Sequence, residues 1–173
     1  MSTNGIGGNY DNQQQRIIYT PGGPKAIADA IRVSASLTRI DIKDNQIGPE
    51  GAKHIAEGIR VSASLTYLDT RLNRISGEGA VQLSAAVLGN TKIENFNAIP
   101  VEELRADSLT ELKLESKVIG IDGAMVVAGF MPVSASLTSI NLGYNELGLE
   151  GAKYIAEGIS VSASLTSINL MGN

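Results

Sequence analysis

The string VSASLT begins at Val33, Val61, Val133 and Val161, so the chain repeats with a period of 28 residues on either side of a 72-residue interval. A period of this size restricts the fold more than any single residue does, because each unit can bury its apolar face only against a neighbouring unit. The first apolar residue of the following stretch, LTRIDIKDNQI from Leu37 to Ile47, recurs at Leu65, Ile93, Leu109, Leu137 and Leu165, in steps of 28, 28, 16, 28 and 28. One unit is therefore short by 12 residues.

Within a full unit, LxxLxLxxNxL alternates with period two, and GxxGAxxIAxxI then places apolar residues three and four apart, as at Ile47, Ala52, Ile55, Ala56 and Ile59. Period two marks a strand and the second spacing a helix, so each unit reads as a short strand followed by a helix. Thr20, Gly48, Ser76, Gly120 and Gly148 share the slot before each helix and are expected as N-caps, with Pro21 and Pro49 next to them. Glu50, Glu78, Asp122 and Glu150 put a carboxylate in the first turn, where the helix dipole favours it. The chain before Arg16 is rich in Gly, Asn and Gln, and Asn12 and Gln14 fall where a preceding strand would need apolar residues. The expected organisation is a polar, flexible tail over 1–15 and one repeat domain over 16–173, opening with a half repeat that caps the first apolar layer.

With two Phe and no Trp, the core must come from Leu, Ile, Val and Ala, which suits thin repeated layers. A formal net charge of −4 gives no electrostatic reason to bind a phosphate backbone, so nucleic acid is not an expected partner. The absence of cysteine removes disulfides, thiolate metal sites and a thiol nucleophile. The start of the chain has neither a basic segment nor an apolar run, and no apolar run approaches the roughly 20 residues of a membrane helix. A cytoplasmic location with no membrane association is the resulting expectation.

Repeat length, the LxxLxLxxN core and the helical half together resemble the leucine-rich repeats of the ribonuclease-inhibitor-like class, found also in NLR immune receptors and the Ran GTPase-activating protein. The resemblance runs from about Arg16 to Asn173. It implies an α/β fold: a right-handed horseshoe solenoid with a parallel sheet on the concave face and helices on the convex face. It also implies that Asn45, Asn73, Asn145 and Asn173 turn inward after their strands and bond backbone groups of adjacent units. Val101 and Lys117 occupy that slot in two units, where the turn is expected to be irregular, and Thr70 and Ala98 replace an apolar strand residue.

The short unit, Ile93–Ser108, has room for one helical turn around Val101–Arg105, so a notch is expected in the helical wall. An absorbed deletion explains it; so does a groove used by a partner. No catalytic set emerges. His54 is the single histidine, and its slot holds Ala26, Gln82, Val126 and Tyr154 elsewhere, read as the outer helix surface. A lone imidazole with neither orienting base nor co-ligand is poor evidence for catalysis or metal binding. The recurring GxxGA lacks both the GK[ST] ending and the GxGxxG spacing of phosphate loops. No enzyme, metal or cofactor is expected.

The varying residues lie between the apolar strand positions and form a ladder. Arg39, Asp41, Lys43, Tyr67, Asp69, Arg71, Glu111, Lys113 and Glu115 are its charged and aromatic rungs; Asn95, Asn97 and Ile99, and the small residues near Ser139 and Ser167, complete it. Mutual pairing of surface charges and a partner's footprint account for it equally. The expected function is a non-enzymatic scaffold that binds another protein through the strand face. A GTPase activator using Arg74 or Arg71 is an alternative, as is an assembly fragment of a larger receptor that self-associates through an uncapped C-terminal end at Leu165, Ile168 and Leu170.

Overall fold

The computed structural model describes residues 4–11 and 13–173. The tail expected over 1–15 lies partly outside them, at residues 1–3 and Asn12. The described part is not a tail. Strands β1 (Asn4–Gly5), β2 (Gly8–Asp11) and β3 (Arg16–Tyr19) form an antiparallel sheet, β1-β2-β3. Its backbone lies on the first full unit: the Gly7 N–H donates to the Asn45 carbonyl at 2.9 Å. A Cβ on Gly7 would sit 2.3 Å from the Ile47 Cα, so the glycines that suggest flexibility serve close backbone approach.

Strand and helix then alternate. Helix α1 (Gly22–Val33) is followed by β4 (Arg39–Asp41), α2 (Gly48–Val61), β5 (Tyr67–Asp69), α3 (Gly77–Gly89) and β6 (Asn95–Phe96). The short unit continues with β7 (Ile99–Pro100) and α4 (Val101–Arg105). The chain ends with β8 (Glu111–Lys113), α5 (Gly120–Phe130), β9 (Ser139–Asn141), α6 (Gly148–Val161) and β10 (Ser167–Asn169). Pairing follows the repeat: Arg39 faces Tyr67 and Tyr67 faces Asn95 in parallel register, as Glu111 faces Ser139 and Ser139 faces Ser167. Ile40, Leu68, Phe96, Leu112 and Ile140 point into one apolar core with Ile55, Leu83 and Ile155 of the helices.

The expected single ladder of six strands is instead two sheets, β4-β5-β6-β7 and β8-β9-β10. Asn97 and Ala98 both have positive φ, 51° and 67°, and make a two-residue hairpin that folds β7 back antiparallel on β6. β7 therefore takes the edge that β8 would have used. Asn97 and Ile99, read as outward rungs, are fully buried.

The helices narrow the expected notch without removing it. α3 packs directly against α5, and a Cβ on Gly129 would meet Leu88 Cδ1 at 2.6 Å. α5 is buried along nearly its whole length, including Val126, so the His54 slot is not a surface position in this unit. The missing 12 residues thus interrupt the strands while the helices close up in part. An apolar groove of about 570 Å³ remains over α5, between Leu88 of α3 and Tyr154 and Val161 of α6.

The glycines read as N-caps act differently: Gly48, Gly120 and Gly148 open α2, α5 and α6 at φ of 65°, 68° and 59°, a region that costs glycine nothing. The asparagine slot behaves as the resemblance implies. Asn73 accepts from the Asn45 and Ile47 N–H groups at 2.7 and 3.2 Å and donates to the Ile42 carbonyl at 2.8 Å, while Asn145 accepts from Lys117 and Ile119 and donates to Leu114. Asn73→Ala leaves these buried groups unpaired and is expected to lower stability by about 2 to 4 kcal/mol in urea unfolding, whereas Asn45→Ala, at a half-buried site, costs about 1 kcal/mol.

Candidate functional site

The nine ladder residues fall on separate sheets. Arg39, Asp41, Lys43, Tyr67, Asp69 and Arg71 belong to β4, β5 and the turns after them, and Glu111, Lys113 and Glu115 to β8 and its turn. Alternation along each strand sends Ile40 and Leu68 inward and their neighbours outward.

Parallel register sets Arg39 beside Tyr67, and the guanidinium lies 3.4 Å from the ring centroid. The stack presents a flat cationic and aromatic surface. Asp41 and Lys43 are exposed, with the Asp41 carboxylate accepting the Lys43 backbone N–H at 3.2 Å. Asp69 is withdrawn from solvent, its side chain 1% exposed. Arg71 grips it at both oxygens, Nε to Oδ1 at 2.9 Å and Nη2 to Oδ2 at 2.6 Å, and the Arg71 backbone N–H adds a third bond. Burial pushes the Asp69 carboxyl up, but the Arg71 hydrogen bonds outweigh it and hold the group below its ordinary value. The same pairing raises Arg71.

Arg71 also spans the break between the sheets, with Nη1 donating to the Lys117 carbonyl at 2.8 Å. It is thereby occupied inside the protein rather than presented to a partner. Arg74 is exposed at φ 55° and forms no ion pair among the described residues. On β8, Lys113 pairs with Glu111 at 2.9 Å, and Glu115 accepts from the Asn141 amide at 3.0 Å, which itself accepts from Asn169.

The sequence reading misses a buried polar cluster at the break. The Asn97 oxygen accepts from the Thr70 N–H at 2.8 Å, its amide donates to Asp122 at 2.9 Å, and the Thr70 hydroxyl lies 3.1 Å from both Asn97 Oδ1 and Asp122 Oδ2. Burial pushes the Asp122 carboxyl up to about 6, against hydrogen bonds that pull the other way. A cavity of about 370 Å³ adjoins the cluster, walled by charged Asp44, Arg71, Arg74 and Glu146 and by apolar Ile75 and Ile119. Thr70 in an apolar slot was the available signal. Asp122 gave none, since its position suits an ordinary first-turn carboxylate.

His54 lies on the α2 surface, its Nδ1 3.7 Å from Glu57. Among the described residues no group of His, Cys, Asp and Glu could hold a metal ion, and no helix is long and apolar enough to cross a membrane.

The leucine-rich repeat family model matches residues 33–56, 61–84 and 133–156, each match joining one strand to its helix. With the strand–helix units and their asparagine bonds, this identifies the matched segments as leucine-rich repeats, which generally mediate contacts between proteins. Among solved structures, the tropomodulin C-terminal domain of Caenorhabditis elegans is similar at 14% identity and a TM-score of 0.44, over 85% of this chain and 81% of that one. No curated protein matches the chain.

Arg71→Ala would strand a buried carboxylate and is expected to cost about 3 kcal/mol at neutral pH, while Arg74→Ala stays within about 0.5 kcal/mol. Because the Asp69 pKa is lowered, the stabilisation from the pair is complete above the ordinary aspartate range and disappears as pH falls through the folded value. Urea titrations of both variants at neutral and acidic pH test this: the deficit of Arg71→Ala should shrink in acid.

Proposed function

We propose that the protein is a non-enzymatic recognition scaffold, with its strands on the concave side of a right-handed horseshoe and that side engaging another protein. The observation that carries this reading is the Arg39–Tyr67 stack with exposed Asp41 and Lys43 beside it. Core residues repeat from unit to unit while these vary, and Tyr and Arg are the residues that most often dominate binding energy. The footprint centres on Arg39, Asp41, Lys43 and Tyr67, with Glu111, Lys113 and Glu115 as a second patch across the break. Asp69 and Arg71 support it from beneath. A cytoplasmic setting belongs to the same reading.

The GTPase-activator alternative gains no support from the geometry at Arg71, whose guanidinium is spent on Asp69 and Lys117.

An affinity pull-down with the intact chain, followed by measured binding of the recovered partner, tests the scaffold reading. The double variant Arg39→Ala/Tyr67→Ala should weaken that binding tenfold or more with the urea midpoint nearly unchanged, as expected when a truncated hot spot costs about 2 kcal/mol. Undiminished binding by the variant would remove the strand face from consideration.

A further inference from the structure

The turn that follows a strand gives its backbone N–H groups to the next unit. In the first full unit the Asp44 N–H donates to the Arg71 carbonyl at 3.0 Å, and the Asn45 and Ile47 N–H groups share Asn73 Oδ1 at 2.7 and 3.2 Å. The turns at 116–119 and 144–147 do the same, with Asn145 Oδ1 on Lys117 and Ile119 and Asn173 Oδ1 on Asn145 and Leu147. One carboxamide oxygen therefore stands at the same point in all three.

The turn at 72–75 has the same shape, with φ of 60° and 55° at Leu72 and Arg74 against 57° and 54° at Asp44 and Gln46. Its donors are held in the same way, yet the N–H groups of Leu72, Asn73 and Ile75 meet no acceptor among the described residues. The short unit is the cause. The residue 28 places after Asn73 is Val101, which has no side-chain oxygen, and the hairpin at Asn97 and Ala98 has already turned the chain aside. Asn97 reaches the Thr70 N–H and none of the other three. Leu72, Asn73 and Ile75 line the cavity of about 370 Å³, a size within the roughly 300 to 1,000 Å³ of small-ligand sites. Asn73 and Ile75 are 2% and 6% exposed, and donors in such places are costly to leave without a partner.

The same wall also carries an underused acceptor. The Ile42 carbonyl receives two side-chain amides, from Asn45 at 3.1 Å and Asn73 at 2.8 Å, and the Leu142 carbonyl receives those of Asn145 and Asn173. The Thr70 carbonyl, in the same slot, receives only that of Asn73, at 2.8 Å, among the described residues. Two convergent N–H donors beside a carbonyl acceptor match a primary carboxamide, which has an acceptor oxygen and an NH₂ group. The surrounding charges do not select an anion: Arg71 is held by Asp69, Arg74 is balanced by Asp44 and Glu146 on the cavity walls, and Asp122 lies behind Thr70.

We infer that this cavity binds an asparagine side chain presented on a turn of a partner polypeptide. Its Oδ1 accepts from the Asn73 and Ile75 N–H groups and its Nδ2 donates to the Thr70 carbonyl. The partner's main-chain carbonyl two residues earlier accepts from Leu72, as the Arg71 carbonyl accepts from Asp44. The partner thus supplies the turn that the short unit lacks. This site is separate from the Arg39–Tyr67 stack, so its test and that of the strand face decide independently.

Acetyl-Gly-Asn-N-methylamide is a small probe that carries these groups, and its glycine suits the positive φ found at Leu72, Asp44 and Tyr144 in the corresponding slot. Because the probe displaces water from the donors, millimolar affinity is expected. Titrated into the intact chain to about 100 mM, two decades beyond a millimolar site, it should shift the backbone amide NMR signals of Leu72, Asn73 and Ile75 saturably. The amides of Asn45 and Ile47, already bonded to Asn73, should stay in place. The aspartate analogue at neutral pH should bind about fivefold more weakly, since it cannot donate to the Thr70 carbonyl and brings a charge near Asp122. No saturable shift at the three amides, an equal shift at Asn45 and Ile47, or an aspartate analogue that binds as tightly as the asparagine one would each overturn the assignment.

Discussion

After every strand the chain must turn inward to begin its helix, and that turn buries backbone groups which the parallel ladder does not reach. One asparagine amide per unit satisfies them. Asn73 serves the turn of the unit before it as well as its own, and Asn145 and Asn173 do the same farther along. An amide is suited to this because it carries two donors and an acceptor on a short stem. The apolar layers stack in register because these turns are held at one spacing, 28 residues from asparagine to asparagine.

Where the unit is short, the asparagine slot holds Val101, and the bond pattern has to be met by other means. Asn97 takes over part of the task from within a hairpin, with Thr70 and Asp122 completing it. The substitution brings a carboxyl group into the core. It also divides the strand face, since the hairpin strand occupies the edge of the first sheet. The helices respond by closing up, which explains why α5 lacks the polar outer residues of α2: in its place between α3 and α6 nearly all its side chains are covered.

The serines of the repeated string have a structural use of the same kind. The Ser62 hydroxyl accepts the Leu65 N–H at 3.2 Å, and Ser64 donates to the Ser34 and Leu37 carbonyls of the preceding unit. Where the string is absent, Asn90 and Asp107 make comparable links, to Ile59 and Ser62 and to Ser134 and Ser136. Much of what repeats therefore holds one unit to the next. The variation left over is concentrated on the strand face, where Arg39 meets Tyr67.

Strand and helix order, the inward leucines and isoleucines, the short unit and its single helical turn at Val101–Arg105 all follow from the sequence, because period and spacing are local properties of the chain. The asparagine bonds came from likeness to other repeats. Exposure of Arg39, Asp41 and Lys43 was legible from strand alternation; the withdrawal of Asp69 behind Arg71 was not, since it depends on which charge the next turn supplies. Likewise the antiparallel sheet at residues 4–19 depends on glycine backbone fitting against Asn45 and Ile47, which composition cannot distinguish from a loose tail. The sequence by itself determined the repeating unit and where it fails. Tertiary structure decided how the failure was repaired, because Thr70, Asn97 and Asp122 stand 25 to 52 residues apart and meet only once α3 has packed against α5.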